Sequence, residues 1–162
     1  MRAFYAACVL RCRMFKHLLL PTDGSALAAK GVKSGVRLAK ALGARVTGVY
    51  VIEPYLPPMA PEAAVMATSA LDPRDYQKAA EAQATRALAR LEREARSAEV
   101  RCATQFVTAP QPWQGMLKVA RAKSCDGIVM ASHGRGGLGG LLLGSQTARV
   151  LAHSKIPVLV IR

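Results

Sequence analysis

Residues 126–162 read "DGIVMASHGRGGLGGLLLGSQTARVLAHSKIPVLVIR", and their order decides the fold. "DGIVMAS" (126–132) is a short apolar, β-branched run of the kind buried in a parallel sheet. A glycine-rich loop follows, then a helical stretch from Ser145 to about Ser154, then a second apolar run, "KIPVLVIR" (155–162). Strand, loop, helix, strand is a parallel crossover unit.

The same unit recurs toward the N-terminus. "HLLLP" (17–21) is an apolar run closed by proline, and "TDGS" supplies turn and cap chemistry for a helix from Ala26 to about Leu42. At 100° per residue Val32, Val36, Ala39 and Leu42 share one side of that helix, while Lys30, Lys33, Arg37 and Lys40 share the other. Gly43 stops the helix and "ARVTGVYVIEP" (44–54) reads as a strand buried on both faces. Residues 54–73 carry five prolines and read as a long loop of functional type. Ala80, Ala84, Leu88, Leu91 and Ala95 then mark a long helix over about 73–98. "VRCATQFV" (100–107) is a strand, and 110–125 a helix with its prolines at the start. The alternation predicts one doubly wound α/β domain: a five-stranded parallel sheet with helices on both faces and a ligand crevice at the carboxyl ends of the strands.

Composition narrows the functional classes. A chain of 162 residues with 51% hydrophobic content supports one core and not two. Residues 1–13 read as a disordered extension preceding a domain over 14–162; no small-residue cleavage site follows their short apolar stretch. No apolar run approaches the roughly 20 residues needed to cross a bilayer, so no membrane partner is expected. The cysteines at 8, 12, 102 and 125 and the histidines at 17, 133 and 153 form no metal-binding or redox spacing, and free thiols without a signal suggest the cytoplasm. A net charge of +13, from 23 Lys and Arg against 10 Asp and Glu, draws anions to the surface without choosing among them.

Within the loop, "SHGRGGLGGLLLGS" (132–145) has six glycines in fourteen positions and contains G-x-G-x-x-G as Gly134, Gly136 and Gly139. A dinucleotide fingerprint follows the first strand and is answered by an acid about 20 residues on; here the loop follows the fourth strand and no Asp or Glu occurs after Asp126. A Walker loop fails too, since Gly139-x4-Gly144 runs straight into Ser145 with no lysine. What remains is a loop ending in "GS" at a helix start, where backbone N–H groups and a Ser N-cap make an anion site.

At these residues the chain resembles the universal stress protein family in its ATP-binding branch. Gly134, Gly144 and Ser145 fit the second half of the family's G-x2-G-x9-G-[ST] signature, while its first position is Ala131. "LLLPTDGS", "VTGVYVIEP" and "VLAHSKIPVLVIR" match in order, so the resemblance spans nearly all of 14–162. It implies that Asp23 lies near the ribose or adenine with Pro21 and Thr22 shaping that wall, and that Val51 offers backbone groups to adenine. Met130, Ala131, His133 and Gly134 would lie beneath ribose and phosphates, and Gly144, Ser145, Gln146 and Thr147 would bind phosphate oxygens. The bland alternatives are turn chemistry for Asp23, a plain cap for Ser145 and a core role for Val51. The extra methyl of Ala131 matters where the backbone needs a positive φ or a close ligand approach.

The implied ligand is ATP; ADP, AMP and an accompanying Mg2+ are compatible with it. No catalytic residue is assigned, since near the phosphates only Asp23 is acidic, so the reading is a nucleotide-binding stress-response switch with at most slow hydrolysis. The family also implies a homodimer in which strand 156–161 pairs across a two-fold, hiding an apolar edge. The alternative is a dimeric stress protein without nucleotide, whose Lys30–Lys40 stripe binds nucleic acid or an acidic protein. The 5% aromatic content and the lack of a nucleic-acid motif favour a solvated helix face instead.

Overall fold

The computed structural model describes residues 15–55, 72–132 and 143–162. The N-terminal extension, most of the 54–73 loop and the glycine-rich stretch with His133, Gly134 and Arg135 lie outside the described residues.

Among the described residues nine elements alternate: β1 (His17–Pro21), α1 (Ala26–Leu42), β2 (Arg45–Ile52), α2 (Pro73–Ser97), β3 (Cys102–Thr108), α3 (Pro112–Ala122), β4 (Gly127–Ala131), α4 (Ser145–His153) and β5 (Val158–Ile161). The five strands form one sheet in the order β3-β2-β1-β4-β5, every pairing parallel. Both central strands, β1 and β4, are buried along their whole length. Their lack of alternation follows, because each face of the sheet is covered. Leu18, Leu20, Val46 and Val129 pack with Val32, Val36 and Ala39 of α1 and Leu91 and Ala95 of α2. On the other face Leu19, Val49, Ile128 and Met130 pack with Val119 of α3 and Val150 of α4.

Three helices end by the same device. At Gly43 (φ 61°), Glu99 (φ 56°) and Ser124 (φ 53°) the chain turns left-handed. The next N–H then bonds back into the helix, Ala44 to the Ala39 carbonyl, Val100 to Ala95 and Cys125 to Ala120. Only the first carries the glycine that announces it, so β3 starts two residues later than its apolar pattern suggests. Ser124 is exposed and strained by its Cβ. Ser124→Gly is expected to stabilise the fold by about 0.5–1 kcal/mol, read as a rise in Tm of ~2–4 °C.

At the amino edge of the sheet the Asp126 carboxylate accepts the Lys16 N–H at 2.7 Å and the His17 N–H at 2.9 Å, tying β1 to the start of β4. His17 is buried, and its Nε2 lies 2.7 Å from Thr47 Oγ1. Burial, with Arg45 beside it, pushes the imidazole below its ordinary value of 6.5, against weaker upward pulls from the Lys123 carbonyl and Asp126. The unfolded chain therefore takes up the proton first, and stability falls as pH drops through about 6.5. His17→Gln should flatten the Tm profile between about pH 7.5 and about pH 5.5. Parallel profiles would assign the acid loss to other groups.

Candidate functional site

The strand order reverses between β1 and β4, so the connections leaving their carboxyl ends part to opposite sides and open a crevice. On the β1 side buried Pro21 is followed by a pinned turn. The Thr22 N–H bonds the Val49 carbonyl at 2.9 Å, Thr22 Oγ1 accepts the Gly24 N–H at 3.2 Å, and Asp23 Oδ1 accepts the Ser25 N–H at 3.0 Å. Gly24 has φ 79°, which lets the turn close. Ser25 then caps α1, its Oγ accepting the Ala28 N–H at 3.1 Å. Asp23 is thus held half-buried at the mouth. Its turn chemistry orients the carboxylate there.

Val51 reaches the same crevice through its backbone. The β1–β2 register ends at Pro21↔Val49, and the Val49 carbonyl faces β1 while the Ile52 carbonyl faces β3, where it accepts the Ala109 N–H. Alternation along the strand therefore aims the Val51 N–H and C=O at the β1 side, past the end of that ladder. The Val51 side chain packs elsewhere, against Gly115 of α3, where an added Cβ would lie 2.8 Å from Val51 Cγ1. A cleft of about 260 Å3 lined by Tyr50, Glu53, Tyr76 and Gln83 opens beside this strand end, next to α2.

The third wall is the junction of β4 with α4. The Ser132 carbonyl accepts the Gly144 N–H at 2.9 Å, and the Thr147 hydroxyl reaches the Ala131 and Ser132 carbonyls at 3.1 and 3.0 Å. These bonds fix the start of α4 over the end of β4. Gly144, not Ser145, is the N-cap, with φ −58° and ψ 145° and no side-chain cap bond. Ser145 is the first helical residue and exposed. The N–H groups of Ser145, Gln146 and Thr147 belong to the first turn, where no intrahelical acceptor exists.

Two residues depart from the side-chain roles expected of them. Thr147 is 2% exposed and its single hydroxyl proton is committed to the strand carbonyls. The Gln146 Oε1 accepts the Trp113 N–H at 3.1 Å and so caps α3, whose own N-cap, Gln111, makes no side-chain cap bond. Both side chains position α4, and the backbone N–H groups of both residues lie in its first turn. Met130 is 5% exposed and its side chain belongs to the core. Around Gln146 sit contacts the sequence did not signal: Arg149 Nη1 donates to Gln111 Oε1 at 2.6 Å, and the Trp113 and His153 rings lie 4.5 Å apart.

Ala131 has ordinary backbone, since Glu99 and Ser124 are the only positive-φ residues besides glycine among those described. Its neighbour across the α1–sheet contact is Gly31. A Cβ at Gly31 would lie 2.9 Å from the Ala131 nitrogen and 3.3 Å from the Ala131 Cβ. The alanine methyl is therefore directed at α1 and accommodated by a glycine there. A mid-helix glycine was the available signal, as it disfavours the helix against alanine.

No group of three His, Cys, Asp or Glu suited to a metal ion occurs among the described residues. Burial, helped by Glu92 and Asp126 respectively, pushes the Cys102 and Cys125 thiols up to about 11, which favours the protonated thiol at neutral pH. No described helix is long and apolar enough to cross a membrane.

Fold and crevice together define a doubly wound α/β protein with a helix N-terminus and a pinned carboxylate at its switch point, the class that takes ligands at the carboxyl ends of its strands. The sequence profile described as the universal stress protein family matches residues 14–162, and the chain belongs to that family. A universal stress protein encoded in the QAH/OAS sulfhydrylase 3' region of Thermus aquaticus is 30% identical over 149 residues, covering 92% of this chain and 100% of the relative. A universal stress protein family structure from Burkholderia pseudomallei superposes with a TM-score of 0.71 at 24% identity, over 91% of this chain and 96% of the other. A universal stress protein crystallised in complex with cAMP gives 0.67 at 23% identity, over 91% and 97%.

Proposed function

We propose that this protein binds an adenine nucleotide, ATP foremost, at the β1–β4 switch point and acts as a nucleotide-responsive regulator rather than a dedicated enzyme. What supports this reading is that three unlike groups lie at the carboxyl ends of the adjacent strands β2, β1 and β4. They are the Asp23 carboxylate for ribose hydroxyls, the Val51 N–H and C=O past the β1 ladder for an adenine edge, and the first-turn N–H groups of α4 for phosphate. His133 and Gly134 of the intervening loop complete the phosphate side in this proposal. The related fold solved with cAMP lends support, since cAMP carries the same three parts. The described residues supply no carboxylate cluster for Mg2+, so an accompanying Mg2+ would ride on the phosphates.

Denaturing the freshly purified protein and identifying released nucleotide by mass spectrometry tests the reading, alongside thermal shifts with ATP, ADP, AMP and cAMP. Retained adenine nucleotide or a shift is expected. Neither, at millimolar ATP, would overturn it.

We also propose a homodimer through β5. That strand is an edge of the sheet, and Leu159 on it and Leu151 on α4 are 47% and 43% exposed. Leu159→Arg should convert a dimer into a monomer by sedimentation, whereas a monomeric wild type would end the proposal.

A further inference from the structure

α1 and α2 lie on the same face of the sheet and share one core cluster, so their solvent sides form one continuous surface. That surface carries Lys30, Lys33 and Arg37 on α1 and Arg86, Arg90 and Arg93 on α2, all exposed. Among the described residues the single ion pair is Lys40–Glu99 at 2.7 Å, which uses none of the six. α1 contains no acidic residue, so no helical spacing on it offers a partner. On each helix the steps of three or four residues set cation over cation: 30 to 33 to 37, and 86 to 90 to 93. Like charges at those spacings repel and weaken a helix, whereas an ordinary solvated face intersperses signs. On α2, Glu81 and Glu92 are turned to Gln77 and Thr104; Glu94 stands four residues after Arg90 and Asp75 lies in the first turn, and neither makes an ion pair with the six.

We propose that the outer face of α1 and α2 is a docking surface for duplex nucleic acid, held through its phosphates without regard to base sequence. Each helix displays its cations over ~10 Å, with the two axes ~10 Å apart. That area spans about six phosphate charges of a duplex, which carries one per ~1.7 Å. Arginines on α2 suit the forked geometry of phosphate oxygens. A bare single strand fits less well, because its binding rests on aromatic platforms. The aromatic residue on these helices, Tyr76, is taken up with the Glu53 carbonyl and the Tyr55 ring. A lipid surface fits less well too, because among the described residues the large exposed apolar side chains, Phe106, Leu143, Leu151 and Leu159, lie off α1 and α2. The surface is separate from the nucleotide crevice, and the inference does not depend on ATP binding.

Fluorescence anisotropy of the full-length protein with a labelled mixed-sequence duplex, across a salt series, tests this. Binding should fall about a thousand-fold between 50 and 200 mM salt, with a log–log slope near −5 for about six contacts. Arg86→Gln/Arg90→Gln/Arg93→Gln should reduce that slope by about three units. The same variant should keep or raise Tm at low salt, as repulsion is removed. Lys118→Gln/Arg121→Gln/Lys155→Gln, off this face, should leave the slope unchanged. No duplex binding at 50 mM salt, an equal loss of slope in both variants, or tighter binding to phosphatidylserine vesicles or polyglutamate than to duplex would each overturn the proposal.

Discussion

Gly144→Asp and Ser145→Glu are expected to abolish the thermal stabilisation by ATP while leaving the ligand-free protein as stable as before or slightly more so. Both put a carboxylate where the phosphate is proposed to sit. Gly144 is the N-cap of α4 with φ −58°, a conformation open to any residue, and aspartate there satisfies first-turn N–H groups itself. Glutamate at the first helical position likewise complements the helix dipole, by about 0.3–1 kcal/mol. The apo protein therefore gains what the ligand loses. For wild type at a hundredfold excess of ATP over Kd the stabilisation is about 2.7 kcal/mol, or ~5–10 °C in Tm for a domain of this size. In the variants it should vanish. A retained shift in both, with intact folding, would move the phosphate site away from α4.

Gly31→Ala should destabilise the fold by about 1–2 kcal/mol net, a loss of ~2–8 °C in Tm. Two effects compete. Alanine improves the helix interior by roughly 0.5–1 kcal/mol. The new methyl, however, meets the Ala131 nitrogen at 2.9 Å, and that backbone atom is held within the sheet and cannot swing aside. Removing the facing methyl with Ala131→Gly relieves the 3.3 Å contact but not the 2.9 Å one. The double variant should recover only part of the loss, with a coupling of about 0.5–1 kcal/mol in a double-mutant cycle. Simple additivity would mean that the two residues do not press on each other.

Much of this was legible in the sequence. Buried parallel strands write themselves as short apolar runs and their helices as 3.6-residue periodicity, so the order of the nine described elements and the single α/β domain follow from local pattern. Gly43 and Ser25 carry the chemistry of the ends they form. Glu99 and Ser124 do not, because a left-handed turn forced by packing leaves no compositional mark. The site was half legible. Asp23 forms the turn its neighbours in the chain suggest, whereas the cap expected of Ser145 is made one residue earlier, at Gly144.

By itself, then, the sequence determined what local chemistry determines: strands, helices, and those of their ends that a glycine or a serine cap marks. Only the tertiary structure decided which distant residues meet. It turned the Thr147 hydroxyl onto two strand carbonyls, set Gln146 as the cap of another helix, and paired Ala131 with Gly31 across a sheet contact. It also laid α2 beside α1, merging two basic stripes into one face that neither helix possesses alone. The physical reason is the same in each case: a hydrogen bond or a repulsion depends on distance in space, and spacing along the chain encodes that distance only within a turn or two.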